Sequence, residues 1–239
     1  MHPQKEQDDV TLQRAYYAQT ASHYDSLHVD LHDVHHLGLS ILSGLIDQTE
    51  AMSVLDEGSG TGRALRYLKM RHPGVSVVGL EPVAEMRAIG HQNGLSQDEL
   101  REGDATAIRA MDASYDIVAE FGALHHIRNS EKAVQEMVRV ARHGVFLSDS
   151  NNFGQGRPVT RFAKQVLNAL RLWPLADYIK TRGKGYTLSE DDGLAYSYSV
   201  FNSVAILRQK FPHVMFFGLS ASSGNLYRTA SHVGVFAHR

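Results

Sequence analysis

The spacing of apolar residues predicts alternating helices and strands along the first 150 residues. Apolar positions recur every three or four residues over residues 34 to 47, which is the period of a helix that packs one face on a core. Strands that are covered on both faces lose their polar alternation and become short apolar runs. Such runs predict buried parallel strands at residues 54 to 55, 75 to 80, 115 to 118 and 145 to 149.

Further helices complete the alternation, and an insertion interrupts it. An amphipathic helix is predicted over residues 8 to 27, and another over residues 130 to 142 with a glycine stop at Gly144. The pattern breaks between residues 151 and 200. Beyond that break, the sequence predicts a helix at residues 200 to 211 and strands at residues 214 to 219 and 232 to 237. Regular alternation of strands and helices indicates an α/β fold with helices on both faces of a sheet.

Composition excludes several kinds of chemistry. The chain has 239 residues and no cysteine, so disulfides, thiolate metal sites and a cysteine nucleophile are all excluded. A formal net charge of −2 gives no overall attraction to nucleic acid, and we expect no nucleic-acid partner. The polar start of the chain and the lack of a long apolar stretch lead us to expect a cytoplasmic protein.

A glycine-rich turn follows the first strand and is the strongest local signal. Gly58, Gly60 and Gly62 stand at every second position, whereas a dinucleotide fingerprint spaces its glycines as G-x-G-x-x-G. Glycine lets a ligand lie against bare backbone at the start of the following helix. Asp56 comes just before the turn, where a carboxylate would repel a pyrophosphate and attract an ammonium group.

The run from Val54 to Arg63 resembles the nucleotide motif of class I S-adenosylmethionine (SAM) methyltransferases: an apolar strand, an acid and G-x-G-x-G. One departure is Glu57, where the family usually has an apolar residue. The resemblance implies a doubly wound, mostly parallel seven-stranded sheet with an antiparallel last strand, helices on both faces and a helical lid insertion. It divides the chain into N-terminal lid helices (1–50), a SAM-binding core (51–150), a substrate cap (151–200) and closing elements of the sheet (201–239).

The resemblance also implies roles for single residues. Glu81 would hold the ribose hydroxyls; the alternative is an acid that favours a helix N-terminus, with Pro82 at the first helical position. Asp104 would accept a hydrogen bond from the adenine amino group. Glu120 and Phe121 would border the methyl donor. The predicted cofactor residues are Tyr16, Tyr24, Asp56, Gly58, Ser59, Gly60, Glu81, Pro82, Met86, Asp104, Ala105, Glu120 and Phe121.

His125 is the predicted general base, because it follows the central strand and imidazole titrates near neutral pH. His126 is its competitor, and a structural role for both histidines is the alternative. The chain lacks the Asn/Asp-Pro-Pro-Tyr motif of amino-directed enzymes, so we predict a small-molecule acceptor with an oxygen nucleophile first and carbon second. A catalytically idle SAM-binding protein is the competing function, and a dinucleotide oxidoreductase is disfavoured by the glycine spacing.

Two charged segments leave alternatives open. Residues 157 to 184 contain seven basic residues and one acid, beside an apolar stripe of Phe162, Val166, Ala169 and Trp173. The segment is predicted to be a lid helix that packs this stripe on the domain, a cap for an anionic, aromatic or lipid-like substrate, or a helix on a membrane surface. The histidine-rich residues 28 to 36 suggest a metal, but a helix start spreads such ligands around its circumference, so we predict none.

Overall fold

Seven strands form one sheet at the centre of the protein. The computed structural model describes residues 3–28, 32–189 and 192–239, with the side chains of residues 3–8 and 26–28 left aside. The strands are β1 (Ser53–Glu57), β2 (Ser76–Leu80), β3 (Leu100–Arg101), β4 (Tyr115–Phe121), β5 (Ala141–Ser150), β8 (His213–Gly218) and β9 (His232–His238), while β6 (Tyr186–Ser189) and β7 (Gly193–Tyr196) form a separate hairpin. The sheet order is β3-β2-β1-β4-β5-β9-β8, and β9 is antiparallel to both of its neighbours. The predicted fold class is confirmed.

Helices cover both faces of this sheet. They are α1 (Pro3–His28), α2 (Val34–Thr49), α3 (Arg63–Arg71), α4 (Ala84–Gln92), α5 (Ser130–Val140), α6 (Pro158–Ala169), α7 (Trp173–Lys180), α8 (Val204–Leu207) and α9 (Leu226–Thr229). One apolar core packs α2 and α3 on the sheet through Leu42 and Leu65. The other packs α5 and α8 on the opposite face through Met137 and Leu207. The strand ends that carry the site are thus held from both sides.

The predicted glycine stop of the helix over residues 130 to 142 is wrong. The helix ends at Val140, and Ala141 turns directly into β5. Gly144 lies inside that strand, in register with Ile117 of β4. A Cβ there would stand 2.8 Å from the Phe236 ring, so the glycine permits close packing of β5 on β9. The helix predicted over residues 200 to 211 is shorter, a 3₁₀ turn at Val200–Ser203 followed by α8.

The N-terminal helix is fixed to the glycine turn by Asp25. Its carboxylate accepts hydrogen bonds from the Thr61 hydroxyl and from the Arg66 guanidinium, the latter at 3.3 Å. Gln13 and Asp9 on the same helix contact the β6–β7 hairpin: Leu194 N donates to Gln13 Oε1 at 2.7 Å. The hairpin therefore lies against α1 over the carboxyl ends of the central strands.

The insertion differs from the single lid helix that its apolar stripe predicts. Leu170 to Leu172 break it into α6 and α7, and Arg171 takes a left-handed conformation with φ of 59°. Phe162 and Val166 point away from the protein, while Trp173 alone of the stripe packs edge-on against Phe153, with ring centroids 5.6 Å apart. The prediction that the stripe packs on the domain is wrong. Within the described part of the chain, no helix is long and apolar enough to cross a membrane.

Candidate active site

Two connected cavities lie where β1, β2 and β4 end. The nucleoside cavity is bounded by the glycine turn, β2, α4 and α1. The histidine cavity lies on the other side of Gly58 and Gly60 and is lined by His125, His126 and Asp192. Tyr17, Tyr24 and Phe121 border both cavities. A single elongated ligand can therefore pass across the glycine turn from one to the other.

Backbone conformation explains the spacing of the glycines. Gly58, Gly60 and Gly62 have φ of 70°, 57° and 77°, which L side chains rarely adopt. A Cβ on Gly62 would lie 2.1 Å from Leu95 Cδ1, and one on Gly58 would lie 2.5 Å from the Ala123 side chain. The alternating pattern thus serves a tight turn that leaves open space above its backbone.

Glu81 ties the glycine turn to the next helix. Its Oε2 accepts from Gly60 N at 2.9 Å and its Oε1 from Val83 N at 2.8 Å. Burial raises the pKa of this carboxyl, and these two N–H donors oppose the shift. The helix-terminus role is therefore present in the structure. Because a carboxylate oxygen can accept more than one hydrogen bond, the predicted ribose role remains open to Glu81.

The predicted adenine residues line the nucleoside cavity. Met86, Pro82 and Ala105 contribute apolar walls, and Asp104 lies at the rim. Asp104 Oδ2 accepts from Arg14 Nη2 at 2.9 Å, a half-exposed ion pair that joins α1 to this rim. Asp104 is thus already paired, and its adenine contact stays a prediction.

Two predicted cofactor residues, Tyr16 and Glu120, line neither cavity, and their cofactor roles stay predictions. Tyr16 packs under the hairpin, where its ring lies against Gly193. Tyr17 lines both cavities instead, because Tyr17, Ala21 and Tyr24 share one face of α1. Glu120 is fully buried and accepts hydrogen bonds from Ala123 N and Ser148 N, both at 3.0 Å.

Glu57, the departure from the family pattern, is a buried acid at the edge of the nucleoside cavity. Neither of its carboxyl oxygens has a hydrogen-bond partner among the described residues. Burial, with the nearby Asp56 charge, raises the pKa of Glu57 well above its ordinary value. The shift favours the neutral, protonated form of this side chain.

The amino-acid end of SAM requires one anionic and one cationic partner, and the histidine cavity has both. Asp56 is buried there, and burial raises its pKa to about 7 against the opposing effects of Ser59 and Arg63. Arg63, which the sequence analysis missed, donates to Asp33 at 2.6 Å and lines the same cavity. Asp56 and Ser59 both line this cavity, and their contacts with the cofactor stay predictions. An ammonium group beside Asp56 and a carboxylate beside Arg63 fit this arrangement.

His125 lies between two carboxylates in the histidine cavity. Its Nδ1 is 2.7 Å from Oδ1 of the buried Asp149, and its Nε2 is 3.4 Å from Oδ2 of Asp192 on the hairpin. Burial alone would lower the pKa of His125, but Asp149 and Asp192 outweigh it and raise the pKa to about 10. The two carboxylates therefore favour the imidazolium form of His125, in contrast to the titration near neutrality that the sequence analysis expects.

His126 shares Asp192 with His125, at 3.4 Å from its Nε2, but its Nδ1 has different partners. Its Nδ1 lies 2.7 Å from Leu194 O on the hairpin and 3.0 Å from Gln13 Nε2 on α1. It therefore joins α1 and the hairpin at the mouth of the site. Asp192 and Leu194 reach the site from about 67 residues further along the chain, and no local pattern predicts that approach.

Comparison with known proteins identifies the class of this fold and site. Residues 55–148 match the family model described as a methyltransferase domain. The demethylmenaquinone methyltransferase of Thermus thermophilus is 34% identical over 94 residues, which are 38% of this chain and 43% of that relative. The chain thus aligns with less than half of this relative's length.

Solved structures share the fold across the whole chain. A SAM-dependent methyltransferase from Thermotoga maritima has a TM-score of 0.58 at 16% identity and covers 94% of this chain and 98% of its own. The plantazolicin methyltransferase BpumL, solved with a desmethyl analogue and S-adenosylhomocysteine, has a TM-score of 0.59 at 12% identity, with 98% and 100% covered. Residues 55–148 are thus a methyltransferase domain by this match, and the chain shares the fold of solved SAM-dependent methyltransferases. Both findings bear out the predicted resemblance and its cofactor, SAM.

Proposed function

We propose that the protein transfers a methyl group from SAM to a hydroxyl oxygen of a small molecule bound in the histidine cavity. The observation that carries the proposal is the continuity of this cavity with the glycine turn. Asp56 and Arg63 stand at one end, and the His125–Asp149 pair at the other. SAM supplies an electrophilic methyl group, so the protein has mainly to orient the acceptor and receive its proton.

The acceptor's polar group would face histidines rather than the Asn/Asp-Pro-Pro-Tyr motif of amino-directed enzymes. His125 and His232 line the cavity beside Phe121, which gives a polar wall and an aromatic wall. An aromatic or otherwise unsaturated hydroxyl compound fits these surroundings. A second candidate acceptor is demethylmenaquinone, which appears in the name of the Thermus relative that is 34% identical over 94 residues.

A binding and transfer experiment tests this function. We expect calorimetry to show that SAM binds the protein more tightly than NAD does, because the turn at Gly58 to Gly62 is spaced for an amino-acid ligand. We also expect transfer of a labelled methyl group from SAM to the low-mass fraction of a cell extract. Tighter binding of NAD would contradict the cofactor assignment. Binding of SAM without any transfer would favour the idle SAM-binding alternative.

The cover over the site yields a second prediction, which rests on α1 and the β6–β7 hairpin. Both elements reach the cavities through Tyr17, Tyr24 and Asp192, so ligand binding should order them together. We expect hydrogen exchange of these two segments to slow when SAM is added. The helices α6 and α7 line neither cavity and should exchange at an unchanged rate. Equal exchange of the hairpin with and without SAM would rule out a closing cover.

A further inference from the structure

The helix α6 is attached to the protein by its polar side. Gln165 Nε2 donates to Phe153 O and to Arg228 O, both at 3.0 Å, and Asn168 Nδ2 donates to the Tyr227 hydroxyl at 2.8 Å. Lys164 also donates to the Asn152 carbonyl. An amphipathic helix on a globular domain normally buries its apolar face. Here the orientation is reversed.

The apolar side of both helices consequently faces outward. Val159 and Phe162 on α6 are 79% and 69% exposed, and Ile179 on α7 is 67% exposed. We define the outer patch as Val159, Phe162, Val166, Leu170, Leu172, Leu175, Tyr178 and Ile179, all of which are exposed. Contiguous apolar surface of this kind indicates an interaction site rather than scattered surface residues.

Charge shows which partner suits the outer patch. Residues 157 to 184 contain seven basic and one acidic residue, a formal +6, whereas the remaining 17 basic and 25 acidic residues give −8. The one acid, Asp177, accepts a hydrogen bond from Ser197 and is largely buried. The cations that remain exposed around the patch are Arg157, Arg171, Lys180, Arg182 and Lys184. A second copy of the same patch would meet like charge, so an anionic surface is the complementary partner.

Two of these arginines occupy costly backbone positions. Arg171 and Arg182 follow the ends of α6 and α7 with φ of 59° and 52°. Glycine is the favoured residue at such helix ends, because a Cβ is strained in the left-handed region. Both arginine side chains are exposed and place a cation beside the outer patch at each of these helix ends.

We propose that α6 and α7 bind the surface of an anionic lipid bilayer, with the outer patch in the interface and the flanking cations on the headgroups. A basic helix with one apolar face lies in the plane of a membrane surface in this manner. Each Lys or Arg near an anionic surface strengthens binding about fivefold. This docking adds to the proposed methyl transfer and does not depend on it.

Sedimentation with lipid vesicles tests the proposal. We expect the full chain to bind vesicles of phosphatidylcholine with 30% phosphatidylglycerol, and to bind pure phosphatidylcholine at least tenfold more weakly. The double variant Phe162→Glu/Ile179→Glu should lose binding by at least tenfold. Met70→Glu/Met111→Glu is the matched control, because these methionines are 73% and 82% exposed but lie outside the patch. It should bind as the parent protein does, and calorimetry with SAM shows that each variant is folded.

A second variant replaces Arg171 and Arg182, and a purely structural role of these arginines would not give the result that we expect. We expect Arg171→Gly/Arg182→Gly to weaken binding to the anionic vesicles about 25-fold while raising Tm by about 2–4 °C for each relieved position. Equal binding to both kinds of vesicle, no binding to either, or unchanged binding by the Phe162→Glu/Ile179→Glu variant would overturn the proposal. So would a dimer in solution that this variant converts to a monomer, because a second copy would then cover the patch.

Discussion

Replacing His125 with alanine is expected to lower turnover by about 10² to 10⁴ and to leave the affinity for SAM nearly unchanged. That range is typical for the loss of a general acid or base, and His125 lines the acceptor side of the site rather than the nucleoside cavity. His125→Asn is the companion variant, because its amide can still donate to the buried Asp149 carboxylate. Steady-state kinetics with the acceptor, together with calorimetry for SAM, provide the measurement. If turnover falls by less than tenfold, His125 is not a general base, and the protein accelerates methyl transfer only by positioning the two substrates.

The pH dependence of the same reaction follows from the raised pKa of His125. A base must be unprotonated to accept a proton, and with a pKa of about 10 the neutral imidazole becomes more abundant as pH rises through that value. The rate should therefore rise with pH across the neutral range. Asp192→Asn removes one of the two carboxylates that stabilise the imidazolium, so the rising limb should move to lower pH. A limb at the same pH in both proteins would show that the titrating group is not His125.

The His125–Asp149 ion pair also makes the stability of the fold depend on pH. The pKa of His125 is higher in the folded protein than the ordinary value of 6.5, so its pairing with Asp149 stabilises the fold fully below pH 6.5. That contribution is lost as pH rises through about 10. Rate comparisons at high pH therefore need a parallel check that the protein remains folded.

Local chemistry explains why the cofactor side could be predicted from sequence. The positions of Asp56, Gly58 and Gly60 are fixed by a strand, a turn and a helix that follow one another within a few residues. Glu81 follows the end of the neighbouring strand, β2. Parallel strands bring their carboxyl ends together, so such residues meet in one crevice. The seven-stranded fold could be predicted for the same reason.

The acceptor side depends on contacts that sequence spacing does not record. Asp192 approaches His125 only because the hairpin folds back over α1, and its position in the chain carries no motif. Tyr16 and Tyr17 differ by about 100° around α1, so a helical pattern that is correct to within one residue does not decide which of the two rings lines the cavities. The apolar stripe of α6 identifies a face of the helix, but the periodicity does not say whether that face meets the protein or something outside it.

Glu81→Ala should weaken SAM binding by about 1 to 3 kcal/mol, or about 5- to 150-fold in Kd. Two effects contribute to that loss. The predicted hydrogen bonds to the ribose would be removed, and Gly60 N and Val83 N would lose the carboxylate that holds the turn to α4. Calorimetry with SAM gives the total. Unchanged affinity for SAM would show that Glu81 does not bind the ribose and serves only the N-terminus of α4.

A ribose analogue separates the two effects on which the Glu81 prediction depends. If Glu81 binds the ribose hydroxyls, a 2′-deoxy analogue of SAM should bind the parent protein more weakly than SAM does, and Glu81→Ala should bind both ligands alike. As in a double-mutant cycle, the coupling free energy then isolates the contact between Glu81 and the ribose from the effect of the substitution on the glycine turn. If instead the variant weakens both ligands by the same factor, the carboxylate acts through the backbone of Gly60 and Val83. The SAM site would then depend on the shape of the turn rather than on recognition of the ribose.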